Sequence, residues 1–202
     1  MAAPQILVLG TSNPGKSQEF RELLQGCPWQ LADLSQFADV SLPAEDGATY
    51  VENARRKAQE VALQIRHWVL ADDTGLEVDA LAGAPGIHSA RYAGPGASAV
   101  ENRRRLLEQL AGVPARERTA RFVCQLSLAD PLGRIVAEAT GYCRGQLRFE
   151  PAGTGGFGYD SLFEITEYHC TLAELGTAAA ACLTHRSRAV AGIWPQLLRI
   201  GS

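Results

Sequence analysis

The chain has 202 residues, of which 46% are hydrophobic and 20% are charged, and its formal net charge is −3 at pH 7. These values are ordinary for a globular protein that buries a core, so we predict one domain covering residues 1–202. No stretch approaches the roughly 20 apolar residues of a membrane span, and the net negative charge argues against nonspecific binding to nucleic acid.

The amino terminus and the cysteines bear on cellular compartment. Residues 1–4 lack the basic segment and apolar core of a signal peptide, so we expect a cytoplasmic protein. The five cysteines are odd in number, widely spaced and without a Cys-x-x-Cys pair. This spacing argues against a zinc site and against a disulfide framework, and it predicts reduced thiols that pack in the core.

The first half of the chain predicts strands that alternate with helices. The apolar run Gln5–Leu9 predicts a buried strand, and Lys16–Leu24 has helical spacing. A short strand over Trp29–Leu34 is followed by a polar loop. Apolar residues then recur at helical spacing over Thr49–Ile65, before a strand over His67–Ala71. This order favours an α/β sheet with crossover helices.

The second half of the chain changes its period. Ser98 and Glu101 form a capping-box pattern, which predicts the start of a helix. Apolar and polar residues alternate over Ala120–Leu128, as in a half-buried strand. The turn Asp130–Gly133 predicts that this strand forms an antiparallel hairpin with Arg134–Ala137. We therefore predict a mixed central β-sheet flanked by helices.

The last predicted helix follows a cluster of polar residues. Thr184 can cap a helix that runs to about Ile200, and Pro195 inside it predicts a kink or an early end. His185 and Arg186 at its start could donate hydrogen bonds to a ligand carbonyl or phosphate. Taken by themselves, however, these two residues are typical of a protein surface.

A phosphate-binding loop is predicted near the amino terminus. Residues Gly10–Ser17 match the Walker A pattern and lie between the first strand and helix, where backbone N–H groups face an anion. Pro14 removes one of the amide donors that a P-loop uses. A P-loop enzyme also needs a strand that leads to a metal-side carboxylate, which Asp72 or Asp73 could supply. A P-loop ATPase or kinase therefore stays open as an alternative.

Acidic residues in two segments could hold a metal ion. Asp72 and Asp73 are predicted to follow a strand directly, with Gly75 permitting a sharp turn that presents both carboxylates. A solvated turn is the neutral interpretation. Glu45 lies in a loop ahead of a long helix. Magnesium commonly takes one or two protein carboxylates together with substrate phosphates, and Glu45 and Asp73 could meet that demand.

A glycine-rich segment near residue 155 could contact a nucleobase. Residues Gly153–Asp160 contain four glycines and two aromatic residues. Glycines permit close approach of a ligand to the backbone, and an exposed Phe157 or Tyr159 offers a flat face to a base. The alternative interpretation is a structural glycine corner whose aromatic residues lie in the core.

Taken in order, five motifs resemble the inosine triphosphate pyrophosphatase family, and a loop at Pro85–Gly94 extends the likeness from residue 6 to about residue 190. The motifs are Thr-x-Asn-x-x-Lys at Thr11–Lys16, Glu-x-Gly followed by Glu-Asn-Ala-x-x-Lys-Ala at Glu45–Ala58, Ala-Asp-Asp-Thr-Gly-Leu-Glu-Val-Asp-Ala-Leu at Ala71–Leu81, Gly-Gly-Phe-Gly-Tyr-Asp at Gly155–Asp160, and Thr-His-Arg at Thr184–Arg186. Several separate motifs in one order are more specific than the Walker A match alone.

The resemblance implies a hydrolase that removes non-standard purine nucleotides from the nucleotide pool. Such an enzyme cleaves the α-β phosphoanhydride bond of dITP, ITP, XTP or dXTP, which gives the monophosphate and pyrophosphate. The resemblance also implies that family's α/β fold, with two lobes and an active-site cleft between them, Mg²⁺ as cofactor and a homodimer. Neither nucleic acid nor a membrane is expected as a partner.

The family's functional roles fall on particular residues by motif position. Asp73 and Lys16 would be catalytic, with Asp73 as general base, and Glu45 and Asp73 would hold Mg²⁺. The other substrate-binding positions would be Thr11, Ser12, Asn13, Pro14, Gly15, Thr74, Phe157, Gly158, Tyr159, Asp160, His185 and Arg186, with the first five near the phosphates and the last six near the base.

The chain departs from the family pattern at several positions. Thr74 stands where Ser is usual, and its hydroxyl can make the same contact. Ser161 replaces a Pro, and His169 and Cys170 replace a Gly-Lys pair. Ala180 stands where the family usually has Lys, so a positive charge on the substrate side is missing. A nucleotide-binding protein with weak catalysis is therefore a further alternative.

Overall fold

The computed structural model describes residues 5–201, apart from the side chains of residues 177–181. Its strands and longer helices are, in chain order, β1 (Ile6–Leu9), α1 (Pro14–Leu23), β2 (Gln30–Asp33), α2 (Tyr50–Ile65), β3 (Trp68–Val78), β4 (Pro85–Gly86), α3 (Ala99–Gln109), β5 (Thr119–Ala129), β6 (Ile135–Leu147), β7 (Phe163–Ile165), β8 (Cys170–Thr171), α4 (Leu172–Leu183) and α5 (His185–Gly201). Among the described residues, no helix combines the length and the apolar character needed to cross a membrane.

The strands form a mixed sheet, as the sequence predicted. Within residues 5–201 the strand order is β2-β1-β3-β5-β6-β7-β8, and β4 pairs with β3. β1 runs parallel to both β2 and β3, as expected for strands joined by the crossover helices α1 and α2. β4 is antiparallel to β3, and β7 is antiparallel to both β6 and β8. A purely parallel P-loop sheet is therefore excluded.

The chain divides into two compact units, each with its own apolar core. Unit 1 comprises the chain up to Asp73, Cys124–Gly141 and the chain from Arg186 onward; unit 2 comprises Thr74–Val123 and Tyr142–His185. The core of unit 1 is built around buried residues of β1, α2 and α5, such as Leu7, Val61 and Ile193. The core of unit 2 includes Leu106 and Phe163.

Local sequence signals explain where the helices begin. The Thr49 side chain accepts a hydrogen bond from the Glu52 amide at the start of α2. Ser98 and Glu101 form the complete capping box ahead of α3. In the β5–β6 hairpin the Asp130 side chain accepts hydrogen bonds from the amides of Leu132 and Arg134. These elements confirm the predicted helix starts and the predicted hairpin.

Three sequence-based predictions need correction. β3 does not end before Asp72 but continues to Val78, so Gly75 makes no turn. Of the two effects predicted for Pro195, a kink or an early end, the early end does not occur, and α5 continues to Gly201, close to the predicted end at Ile200. The five cysteines, all within the described residues, are free, but only Cys124 and Cys143 are buried.

Candidate active site

The predicted phosphate loop joins β1 to α1, and its polar groups are already engaged. The Asn13 side chain caps α1 by accepting hydrogen bonds from the backbone amides of Gly15 and Lys16, at 2.9 and 3.3 Å. In a P-loop those amides would point at phosphate. The loop therefore differs from a Walker A loop in structure as well as in its proline.

Lys16 and Asp72 form an ion pair beside this loop. The distance from Lys16 Nζ to Asp72 Oδ2 is 2.6 Å, and the Asp72 side chain is only 1% exposed. Burial alone would raise the pKa of Asp72, but the positive charges of Lys16, Lys57 and Arg186 outweigh it and hold this pKa well below its usual range. Asp72 is therefore an ionised counter-ion in the interior of unit 1.

Asp73, the next residue of β3, has a different environment. Successive side chains of a strand point to opposite faces, and the Asp73 carboxylate accepts a hydrogen bond of 3.0 Å from Asn53 Nδ2. Burial raises the pKa of Asp73 above its usual value; the Asn53 hydrogen bond opposes this shift, and the nearby charge of Glu45 adds to it. Two adjacent aspartates thus have pKa values that are shifted in opposite directions, which is common where acid-base chemistry occurs.

Lys57 connects the Glu45 loop to β3. Its Nζ donates to the Glu45 carboxylate and, at 2.8 Å, to the backbone carbonyl of Asp72. Burial lowers the pKa of Lys57, but the carboxylates of Asp72 and Glu45 outweigh that effect and raise it. Lys57 and Asn53, which were assigned no role from the sequence, are both polar residues at buried positions of α2.

The acidic groups of unit 1 suit a divalent cation. No cluster of three His, Cys, Asp or Glu side chains with metal-binding geometry occurs among the described residues. Glu45 and Asp73, however, are close enough for the charge of Glu45 to raise the pKa of Asp73. A hard cation between two such carboxylates would relieve this repulsion, and Mg²⁺ typically needs only one or two protein carboxylates when phosphates supply further oxygens. The residues present therefore fit Mg²⁺.

Arg186 and His185 are buried, which corrects their interpretation as surface residues. In unit 1, Arg186 Nη1 donates to Glu19 Oε2 of α1 at 2.8 Å, and the Arg186 side chain is 5% exposed. In unit 2, the ring of His185 stacks on that of Phe122 at a centroid distance of 4.6 Å. Burial of an arginine normally requires such a partner, and Glu19 provides it. This role of Glu19 was not predicted from the sequence.

The glycine-rich segment of unit 2 is fixed by its own polar groups. Asp160 accepts a hydrogen bond from the Phe157 amide, and Tyr159 donates its hydroxyl to the Ser89 carbonyl at 2.9 Å. Arg103 of α3 donates to the Gly158 carbonyl. Tyr159 is buried, whereas the other residues of Phe157–Asp160 are half-buried.

The departures from the family pattern fall in different environments. Thr74 is half-buried in β3, and His169 is exposed with a positive φ of 51°. The side chain of Ala180 lies outside the described residues.

A cavity of about 710 Å³ adjoins the phosphate loop within unit 1. It is lined by Thr11, Ser12, Asn13 and Pro14 among the predicted phosphate-binding residues. Lys16, Glu45 and Asp73 do not line it, and its charged residues include the mutually paired Arg21 and Asp33. The Lys16–Asp72 ion pair and the Asn53–Asp73 hydrogen bond therefore lie outside the lining of this cavity.

The mixed sheet, the predicted phosphate loop and the neighbouring acid pair define an α/β protein with a candidate phosphate and metal site. The chain belongs to the Ham1 family, whose family model matches residues 7–196.

Similar proteins cover nearly the whole chain. A dITP/XTP pyrophosphatase of Rhodopirellula baltica is 46% identical over 194 residues, which are 96% of this chain and 93% of that protein. A dITP/XTP pyrophosphatase of Desulforamulus reducens is 46% identical over 184 residues, or 91% of each chain. A HAM1 protein structure from Coxiella burnetii has a TM-score of 0.83 and 34% identity, over 97% of this chain and 98% of that one. These findings confirm the family resemblance and the α/β fold.

Proposed function

We propose that this chain hydrolyses non-standard purine nucleoside triphosphates, namely dITP, ITP, XTP and dXTP, to the monophosphate and pyrophosphate. The observation that carries this proposal is the 46% identity, over 96% of the chain, to a protein with the name dITP/XTP pyrophosphatase. The structure of unit 1 supports it with a cation, Lys16, and two carboxylates, Glu45 and Asp73, that suit a polyphosphate and a divalent metal ion.

The residues of unit 1 suit this reaction chemically. Lys16 would neutralise charge that develops on the leaving pyrophosphate, and Asp72 keeps its ammonium in place. Asp73 would accept a proton from the attacking water. Bound Mg²⁺, held by Glu45 and Asp73, would polarise the phosphate oxygens.

We further propose the base-recognising residues that the resemblance implies. Phe157, Gly158, Tyr159 and Asp160 would contact the purine, and His185 and Arg186 would address its 6-keto edge. Buried N–H donors reject a substrate that cannot pair with them, and such rejection can reach about 10⁴-fold. The burial of His185 and Arg186 supports this role.

The same proposal includes Mg²⁺ as the metal, a homodimer, a single domain formed by both units and a cytoplasmic location. The donor set of hard oxygens supports Mg²⁺. Three strands, β3, β5 and β6, contribute residues to both units, which supports a single domain. Sedimentation at several protein concentrations tests the dimer: a mass near 43 kDa, twice the chain mass of 21.7 kDa, supports it, and 21.7 kDa at all concentrations contradicts it.

A substrate panel tests the function. Pyrophosphate release should be measured with ITP, XTP, GTP and ATP in the presence of Mg²⁺, with Asp73→Asn as the inactive control. Release from ITP and XTP well above that from GTP and ATP is expected. Tight ATP binding with γ-phosphate transfer would support the P-loop alternative, which the family assignment does not favour. Nucleotide binding without turnover would support the catalytically weak alternative.

A further inference from the structure

The side chain of Asn53 connects two segments that carry proposed metal ligands. Its Oδ1 accepts a hydrogen bond of 2.8 Å from the backbone amide of Gly47, two residues after Glu45. Its Nδ2 donates to Asp73 Oδ2 at 3.0 Å. Asn53 itself is only 2% exposed. One buried amide therefore contacts both the Glu45 loop and the Asp73 carboxylate.

The orientation of this amide is fixed by its two partners. The Gly47 amide can only donate, so it selects the oxygen of Asn53, and the nitrogen must then face Asp73. An ionised carboxylate can only accept, so the second hydrogen bond agrees with the first. A flip of the side chain would lose both hydrogen bonds.

Gly47 supplies the space that this contact requires. A Cβ on residue 47 would lie 2.6 Å from Asn53 Oδ1 and 3.0 Å from the Cβ of Glu52. The backbone of Gly47 does not have a positive φ. The absence of a side chain at this position is therefore needed for close approach to Asn53, not for backbone conformation.

A second buried asparagine shows what is particular to Asn53. Asn102 lies four residues after its helix cap Ser98, as Asn53 lies four residues after Thr49. Its Oδ1 likewise accepts from the amide of a preceding loop residue, Ala93. Its Nδ2, however, donates to the Ala90 carbonyl and not to a carboxylate. Both asparagines accept a hydrogen bond from a loop amide, but of the two only Asn53 also donates to a carboxylate.

We propose that Asn53 is a positioning residue that holds the Asp73 carboxylate in the orientation required for the divalent cation, and that Gly47 in turn holds the Asn53 side chain in place. The inference rests on the proposed function, because Glu45 and Asp73 are the proposed Mg²⁺ ligands. Groups that orient metal ligands by hydrogen bonds typically change metal affinity by about 10–100-fold when they are removed.

Substrate-free Mn²⁺ binding, followed by electron paramagnetic resonance, tests the inference directly. Asn53→Ala and Gly47→Ala should each weaken Mn²⁺ binding by about tenfold, because each removes or displaces the donor to Asp73. Asn102→Ala is the matched control, which loses a comparable pair of side-chain hydrogen bonds and should bind Mn²⁺ like the wild type. Wild-type Mn²⁺ affinity in Asn53→Ala, or an equal loss in Asn102→Ala, would overturn the inference.

The double variant tests whether Gly47 acts through Asn53. If it does, Gly47→Ala should weaken Mn²⁺ binding little further once residue 53 is alanine, and the double variant should bind Mn²⁺ about tenfold more weakly than the wild type. Additive effects would weaken binding by about a hundredfold, and they would contradict the idea that Gly47 acts through Asn53. If Asn53→Ala fails to fold by circular dichroism, Gly47→Ala, which keeps the asparagine, gives the deciding Mn²⁺ measurement.

Kinetics separate this inference from the proposed function. In Asn53→Ala the Mg²⁺ concentration that half-activates ITP hydrolysis should rise about tenfold, with the rate at saturating Mg²⁺ much less changed. An active wild-type enzyme with unchanged Mg²⁺ activation in this variant would refute the positioning role alone. A wild-type protein that binds Mn²⁺ but releases no pyrophosphate would refute the proposed function instead.

Discussion

Replacement of Lys16 by methionine should destabilise the protein, because it leaves Asp72 charged and buried without its closest partner. The pair is separated by 2.6 Å, and the Asp72 side chain is 1% exposed. Removal of one partner from a fully buried pair costs about 3–5 kcal/mol. Lys57 and Arg186 still oppose the Asp72 charge, and the Lys16 side chain is 17% exposed, so the lower end of that range, about 3 kcal/mol, applies.

Thermal unfolding measures this loss. For a chain of this length 1 kcal/mol corresponds to about 2–4 °C, so Lys16→Met should lower the Tm by about 6–12 °C. The double variant Lys16→Met/Asp72→Asn removes the stranded charge and should recover most of the Tm, yet it should not recover pyrophosphate release, because the cation is still missing. The double variant thus separates the structural role of Lys16 from its catalytic role.

Two outcomes would refute this reasoning. A Tm of Lys16→Met within about 2 °C of the wild type would show that the pair contributes little stability. A double variant no more stable than Lys16→Met would show that the stranded Asp72 charge is not the cause. For catalysis, Lys16→Ala should lower both the rate and the triphosphate affinity, and an unchanged rate at saturating substrate would contradict its role in the reaction.

Three further predictions concern other residues. Asp73→Asn should lower pyrophosphate release from ITP by about 10²–10⁴-fold, as expected for loss of a general base, and a loss below tenfold in steady-state assays would contradict that role. Hydrogen bonds from Arg55 lower the pKa of Glu138 from its usual value of 4.5. The ionised carboxylate therefore stabilises the fold above pH 4.5, and this stabilisation is lost as the pH falls through the lowered pKa. Glu138→Gln should therefore unfold more easily than the wild type in urea at pH 7, with the gap closing at acid pH; a gap that is constant with pH would refute the pairing. Tyr159→Phe should cost about 1–3 kcal/mol in urea unfolding, because the buried Ser89 carbonyl loses its donor, and wild-type stability would contradict that contact.

Local signals in the sequence were sufficient to predict α2 and the start of α3. The capping box of Ser98 and Glu101 predicted the start of α3, and the apolar spacing from Thr49 predicted α2, because caps and periodicity act over a few residues. The hairpin turn at Asp130–Gly133 was predicted for the same reason.

The interior charges could not be predicted from local pattern. Asp72 and Asp73 were predicted to follow the end of a strand, but β3 continues through them. Lys16, 56 positions away, and Asn53, 20 positions away, satisfy their carboxylates. Arg186 is buried because of Glu19, 167 positions away. Two local signals pointed to Asn53 and Lys57: their presence on the apolar side of α2 and their place in the motif Glu-Asn-Ala-x-x-Lys-Ala.

The products formed from dITP provide the most direct test of the proposed function. Phosphorus-31 NMR of the reaction with Mg²⁺ should show dIMP and pyrophosphate appearing in equal amounts, with no orthophosphate at early times, and no reaction in Asp73→Asn. The appearance of dIDP and orthophosphate instead would mean that the terminal phosphate is cleaved, which would contradict the proposed pyrophosphohydrolase.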